Sequence, residues 1–516
     1  MTVPEEEQIP KETLLAFFAM VVGIFMAILD IQIVSSSLQV IGAGLSASGD
    51  ELSWIQTSYL IAEVIVIPMT GFAAKVLSTR ISYFIAAFGF TVMSFMCAIA
   101  WNIESMIVFR ALQGFFGGAM IPTAFGVIFI IFPKSMHTKV SMIIGLVVTV
   151  APTIGPTIGG YITDVSSWHF MFLLNIVPGV FVCSTVFLFL HIDKPNYDLV
   201  KNFDYIGFSL LIISLGAMQY VLEEGNKKDW LQDTHILTLT IICTVGFIWL
   251  IIRELTFKNP IIDLSAFANK NFTFGCIYSF ILGVGLYGTV YLMPLFLFTI
   301  AGYSTLQIGT TMVVTGIFQF VSAPLAGKMF GSGIDKRIIL AIGFGMFAFG
   351  SHMNSYLTNQ SQFWEFFLPQ MIRGLALMFC FMPINDLALG TMKKEEVQNA
   401  SGLYNLTRNL GGAIGLALIN STINEKTRLF TQTINENMPL TSSAVQDRIA
   451  FFTNELTGKV DNPELTSFAL LGNVIGGEAF IMSMNYVFNF ISLLFCIAML
   501  LIPFSTSPKE SVANAH

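Results

Sequence analysis

Asp30, Glu63 and Arg110 each lie inside a long apolar stretch of the chain. An ionisable group in the hydrocarbon of a bilayer costs about 2.5–3.5 kcal/mol or more, so such groups are functional candidates by default. The chemistry they suggest is proton exchange. Desolvation favours a protonated carboxyl, and a neighbouring guanidinium favours the charged one. A conformational change that alters water access, or the distance to Arg110, moves Asp30 between proton uptake and release. Arginine suits the partner role because it stays charged. At ~1.5 Å rise per residue, Asp30, Glu63 and Arg110 fall about 12, 14 and 9 Å below the outer helix ends. One layer is therefore expected to hold all three as a network. The bland alternative for Asp30 is a buried ion pair that fixes helix packing. Glu63 has three readings: recognition of a cationic compound, proton carriage, or structure. Arg373 and Arg408, also intramembrane, read as donors to neighbouring carbonyls.

A second feature is the run Gly155-Pro156-Thr157-Ile158-Gly159-Gly160. Gly-Pro kinks a helix, and small residues let a second helix approach closely. A third is aromatic and thioether content, 49 Phe and 25 Met; thioethers suit adaptable, promiscuous surfaces. Tyr59, Phe115, Tyr287, Tyr291 and Phe296 are the candidates for a substrate pocket at the midplane. Tyr287 and Tyr291 are four residues apart and share a helix face. For each of them plain packing is the competing reading.

The elements that position these residues follow from composition. The chain has 516 residues, 54% hydrophobic and only 11% charged, with a mean hydropathy of +0.74. Soluble proteins carry about 25% charged residues, so this is an all-α polytopic membrane protein. The acidic start before the first span lacks the features of a cleaved signal. Fourteen spans are expected at about 13–38, 54–74, 81–101, 104–132, 140–163, 169–190, 205–222, 235–252, 271–300, 305–327, 338–357, 363–386, 398–423 and 477–503. Pro294 and Ala301-Gly302-Tyr303-Ser304 divide the long uncharged stretch between the ninth and tenth. With a cytoplasmic amino terminus, 16 Lys and Arg fall inside, 6 outside and 3 within spans. That bias places both termini in the cytoplasm. Trp54, Trp101, Trp168, Trp230 and Trp364 fall near outer helix ends, where interfacial rings belong. The six cysteines lie in apolar spans and read as small core residues. One large hydrophilic insert, 424–476, reads as a solvated outer loop, or as a docking surface.

The halves echo each other. Phe109-Arg110-Ala111-Leu112-Gln113-Gly114, with Pro122 later, is answered by Gln370-Met371-Ile372-Arg373-Gly374, with Pro383 later. A loop from Gly71 through Lys75 and Arg80 is answered by one from Gly327 through Lys336 and Arg337. The glycine run of the fifth span is answered by Gly411-Gly412 and Gly415. Residues 1–200 are thus a six-helix half, 201–258 an inserted helix pair and 259–516 a second six-helix half. Two such halves with a site between them is a transporter architecture.

These segments resemble the major facilitator superfamily, in its fourteen-helix branch of drug:proton antiporters, EmrB-like multidrug efflux proteins above all. Leu29-Asp30-Ile31-Gln32-Ile33-Val34 is similar to the family's first-helix motif, which implies proton coupling by Asp30. Arg110-Ala111-Leu112-Gln113-Gly114 is similar to the fourth-helix motif, which implies proton transfer by Arg110. Gly145 through Gly155-Pro156 to Gly159-Gly160 is similar to the antiporter motif of the fifth helix, whose contact seals the outward path in the family. Trp168 to Asn175 and Ser401 to Gly412 also resemble family segments. There are departures. Lys75 and Ser78 stand where the second loop usually has an acid and a glycine, which argues against an acid-based lock on that loop. His169 stands where arginine is common. The spans 305–327 and 398–423 lack the acids that some relatives use for dications.

The resemblance implies a proton-coupled antiporter that exports amphipathic drugs across the bacterial cytoplasmic membrane. It also implies work with a periplasmic membrane-fusion adaptor and an outer-membrane channel. The alternative is a dedicated carrier of one metabolite, lipid or siderophore. An enzyme or ATP-driven pump is disfavoured, because the P-loop, metalloprotease and nucleophile-elbow patterns are absent from the sequence. No metal, cofactor or nucleic acid is expected; the proton gradient supplies the energy.

Overall fold

A computed structural model describes residues 10–505 apart from Ser36, Lys258, Asn259, Lys394 and Leu440. The expected boundary at 258/259, Lys394 and Lys509 therefore lie outside the described residues. Fourteen long helices carry the fold: α1 Lys11–Ser35, α2 Trp54–Leu77, α3 Thr79–Ala98, α4 Ile103–Ile131, α5 Lys134–Val165, α6 His169–Phe189, α7 Tyr205–Glu224, α8 Thr234–Thr256, α9 Lys270–Thr299, α10 Thr305–Gly331, α11 Lys336–Met353, α12 Phe363–Leu389, α13 Val397–Asn437 and α14 Pro463–Leu501. Local sequence starts many of them. Asn102 caps α4 at Ser105 N (2.9 Å), Asp204 caps α7 at Gly207 N (2.9 Å), and Ser304 with Gln307 forms a capping box on α10.

Thirteen of these helices are long and apolar enough to cross a membrane. The exception, α13, carries Gln398, Asn399, Asn405 and Arg408, all buried. It packs against α9, α4 and α14. A polar helix is tolerated at that depth because protein rather than lipid surrounds it. Helices α1–α6 pack mainly among themselves, as do α9–α14; contacts of α5 with α10 and α12, and of α4 with α13, join the two groups. The pair α7–α8 lies against α2 and α13. Arg253 of α8 holds Asp204 at the start of α7 (3.0 Å).

Several expectations are corrected. Residues 424–476 are mostly helix, not loop. At 41 and 39 residues, α13 and α14 are each about 60 Å long, twice the ~30 Å hydrocarbon thickness. A short helix, Ser443–Leu456, crosses between their projecting ends. Val445, Leu471 and Ile475 form a small core there. Polarity on one side of a helix that faces water does not distinguish it from a loop. Pro294 lies inside α9, and the break falls at 300–304, where Gly302 has φ +65°. Gly71 and Lys75 are helical, as is Gly327. Trp168 is buried under Gly44 of a short helix, Leu38–Gly44, instead of facing the interface. Cys97, Cys183, Cys276 and Cys380 are buried, whereas Cys243 is half-buried and Cys496 exposed on the outer surface of the bundle.

The α2–α3 turn pivots on Ser78, whose φ of 75° and ψ of 153° are close to glycine territory. Its Oγ accepts only a long bond from Ile81 N (3.4 Å). Ser78→Gly is expected to raise stability by about 1 kcal/mol, read as an upward shift of the melting temperature. An unchanged or lower melting temperature would show that the cap outweighs the strain.

Candidate functional site

Four helices converge on Asp30. Its carboxylate accepts from Arg110 Nη1 (2.5 Å), from Gln113 Nε2 (3.1 Å) and from Asn175 Nδ2 (2.7 Å). Asp30 and Arg110 are 2% and 0% exposed. Arg110 Nη1 also donates to Gln113 Oε1 (2.7 Å), and Nε donates to Ile55 O (3.2 Å). The guanidinium lies 4.3 Å from the centre of the Tyr59 ring. Asn175 Nδ2 reaches Ser94 Oγ (3.0 Å), which donates to Phe172 O (2.9 Å). Thus α1, α4 and the start of α6 are tied through one carboxylate, and α3 joins them through Asn175.

Glu63 does not join this network. Its Oε1 accepts from Asn409 Nδ2 of α13 (3.2 Å). Gly118 of α4 sits against it: a Cβ there would lie 2.9 Å from Glu63 Cα. Arg110 is level with Ile55, so Glu63 lies two turns, about 12 Å, deeper. The single-layer estimate fails because α2 and α4 do not start at the same height. Glu63 belongs instead to the seam between the two helix groups.

The pocket candidates divide in the same way. Tyr59 is fully buried, with its hydroxyl on Ala27 O (3.4 Å); it packs inside the first group and not on the seam. Phe296 is also fully buried, against Phe366 (6.0 Å) inside the second group. Tyr287 faces α13 at Gly412. Tyr291, 37% exposed, donates to Asn420 Oδ1 of α13 (2.7 Å), so the two tyrosines do share the α13-facing side. Phe115 is half-buried. It lies two turns from Pro122, whose carbonyl accepts from Ser401 Oγ of α13 (2.7 Å), and so shares the α4 face turned to α13.

The glycine positions mark close crossings. A Cβ on Gly155 would overlap Cβ of Gln32 on α1, and one on Gly145 would lie 2.7 Å from Met378 Cε of α12. Gly159 and Gly160 are buried, and both carbonyls accept from Thr163 Oγ1 (2.9 Å each). Helix α5 runs unbroken through Pro152 and Pro156. At the basic end, Gly71 lets α13 in: a Cβ there would lie 2.8 Å from Asn399 Cα. Lys75 is exposed. Arg80 Nη1 pairs with His191 Nε2 (2.6 Å).

Sequence reading missed three partners. Asn175 and Gln113 sit in quoted segments but carry no pattern that marks them as Asp30 ligands. Asp193, from the segment after α6, accepts from Thr79 N (3.0 Å) and Thr79 Oγ1 (2.7 Å). An acid therefore does hold the α2–α3 turn, supplied from over a hundred residues away. Neither Arg373 nor Arg408 follows the expected carbonyl pattern. Each donates to an amide oxygen one turn back, Gln370 (2.6 Å) and Asn405 (2.5 Å).

The family model of the Major Facilitator Superfamily matches residues 20–416. The colistin resistance protein EmrB of Acinetobacter baumannii is 39% identical over 509 residues, covering 98% of this chain and 99% of that protein. The fatty acid resistance protein FarB of Neisseria gonorrhoeae is 30% identical, covering 98% and 99%. The multidrug export protein EmrB of Escherichia coli K12 is 29% identical, covering 78% of each chain. Among solved structures, the proton:xylose symporter XylE aligns over 98% of this chain and 99% of its own with a TM-score of 0.61 and 12% identity, a likeness of fold alone. With the helix framework, the buried Asp30–Arg110 pair and relatives aligned end to end, the chain belongs to the Major Facilitator Superfamily, beside the EmrB export proteins.

Proposed function

We propose that this chain is a proton-driven antiporter that exports amphipathic toxic compounds across the bacterial cytoplasmic membrane, with both termini in the cytoplasm. One observation carries the reading: a carboxylate sealed from water, held by an arginine and two amides, at the junction of four helices. Asp30 carries the proton and Arg110 sets when it leaves. The six-helix halves 1–200 and 259–516 move against each other about the α5–α10 and α4–α13 contacts, with 201–258 as an inserted pair. No cofactor takes part. The relatives' names, colistin resistance and multidrug export among them, support a toxic amphiphile as cargo. The deciding experiment is efflux of a fluorescent lipophilic cation from proteoliposomes under an imposed pH gradient. Gradient-independent efflux by folded, oriented protein would refute antiport.

Glu63 lies on the seam, where cargo passes. Glu63→Gln is expected to slow export of cationic compounds several-fold while neutral ones keep their rate. Equal losses for both classes would remove its role in charge recognition.

A second reading, a dedicated carrier of one lipid-like acid, has its own observation. Arg408 is buried among Phe125, Phe381 and Tyr404, and its Nε and Nη1 have no partner. A relative named for fatty acid resistance fits that chemistry. Growth defects of a deletion strain confined to one acid would favour this reading.

The projecting ends of α13 and α14 are the surface suited to a periplasmic adaptor. Purification from the native host without any co-isolated adaptor would count against that partnership.

A further inference from the structure

The second helix group contains a buried positive charge with no acid beside it. Arg373 of α12 is 2% exposed. Nη2 donates to Gln370 Oε1 (2.6 Å), while Nε and Nη1 have no partner. Gln370 Oε1 also accepts from Thr315 Oγ1 (2.8 Å). Among the described residues no carboxylate lies within ion-pair distance of Arg373.

Helix α11 runs antiparallel beside α12. Gly350 makes room for the arginine stem: a Cβ there would stand 2.8 Å from Arg373 Cγ. Asn354, which opens the 3-10 turn after α11, is four residues from Gly350, and Ser351 is three residues before Asn354, the spacings that make neighbours on a helix. Both are 0% exposed. Ser351 Oγ and Asn354 Nδ2 and Oδ1 have no partner either. Long helical side chains lean toward their own amino terminus, as the bond from Arg373 back to Gln370 shows. That direction on α12 is the carboxyl-terminal direction on α11. The guanidinium therefore heads from Gly350 toward Ser351 and Asn354. The amide of Asn354 offers a donor whichever way it is turned.

The first half shows what such a charge needs. Gly114 packs on Tyr59 O as Gly374 packs on Thr315 O, so α4 and α12 occupy matching places, with Gln370 at the position of Arg110 and Arg373 at that of Gln113. In the first half Asp30 neutralises the arginine. In the second, no carboxylate among the described residues pairs with Arg373. A buried charge left alone is strongly unfavourable, and the four orphaned donors, Arg373 Nε and Nη1, Ser351 Oγ and Asn354 Nδ2, add to the cost.

We propose that Arg373, Ser351 and Asn354 form a binding site for a small monovalent anion of the chloride class. The anion neutralises the second half with a charge that does not titrate, and proton handling is left to the first half. The site stands independently of what the protein exports.

The test is thermal unfolding of the purified full chain in chloride, bromide, gluconate or sulfate at equal ionic strength. A ligand that binds only the folded state raises the melting temperature with its concentration. Chloride and bromide are expected to do so and to saturate, while gluconate and sulfate do not. Arg373→Met is expected to abolish the halide response, and Ser351→Ala to move its midpoint several-fold to higher halide. Anomalous diffraction from bromide-grown crystals is expected to show a peak beside Arg373. Equal melting temperatures in chloride and gluconate for the natural protein would overturn the site. So would an unchanged halide response in Arg373→Met. If that variant does not fold, an unshifted midpoint in Ser351→Ala overturns it instead.

Discussion

Asp30→Asn is expected to reduce gradient-driven export to the leak of protein-free vesicles while the chain still folds and inserts. Asn has the shape of Asp; with its oxygen turned to Arg110 it keeps that bond, and its amide nitrogen then faces Gln113 and Asn175, whose own amides must turn to accept. What it cannot do is ionise. The variant keeps the residues of the polar cluster that joins α1, α3, α4 and α6, but it has no proton to exchange in the proposed antiport cycle. One hydrogen bond to a charged acceptor is weakened and Arg110 loses its counter-charge, so stability falls by about 1–3 kcal/mol. Two readouts separate the effects. Export in proteoliposomes reports coupling, and the melting temperature reports packing. Export at the natural rate under a pH gradient would sink the assignment of Asp30. A melting temperature too low to measure would leave packing as its main role.

Gly155→Ala is expected to cost nearly as much activity by a different route. The added methyl overlaps Cβ of Gln32. Cβ atoms are fixed to their backbones, so no rotamer change relieves the clash and α5 must back away from α1. Overpacking of this kind costs about 1–3 kcal/mol. It also displaces the helix that meets α10 and α12 across the seam. Export should fall steeply for every substrate, charged or neutral, unlike the charge-selective loss expected of Glu63→Gln. Gly331→Ala is the control. Nothing lies within 4 Å of that position, and alanine is the better helix former by about 1 kcal/mol. If Gly155→Ala transports normally, close α1–α5 packing is not needed in the cycle.

Much of the framework was legible because a bilayer leaves so few options. Spans about 20 residues long must be apolar and helical, so thirteen of the fourteen could be read from hydropathy, with ends nearly right except for the start of α14, expected at 477 and found at Pro463. The fourteenth, α13, was read with them as a span at 398–423 and echoes α5 in the repeat, although its buried polar residues, covered by α4 and α9, keep it out of the apolar set. The pairing of Asp30 with Arg110 followed from rarity: two opposite charges in an apolar bundle have few other partners. The projecting ends of α13 and α14 were not legible, because outside the hydrocarbon a polar helix and a polar loop have similar compositions.

What the sequence determined by itself is therefore the number of spans, the two echoing halves, the location of the buried charges and the crossings that need glycine. Only the tertiary structure decided which side chains meet. It assigned Asn175 and Gln113 to Asp30, moved Glu63 to Asn409 of α13, supplied Asp193 to the α2–α3 turn, and left Arg373 without an acid. The physical reason is that hydropathy fixes which segments enter the membrane, but not how far each helix slides along its axis. A shift of one turn, about 5.4 Å, is enough to exchange one polar partner for another.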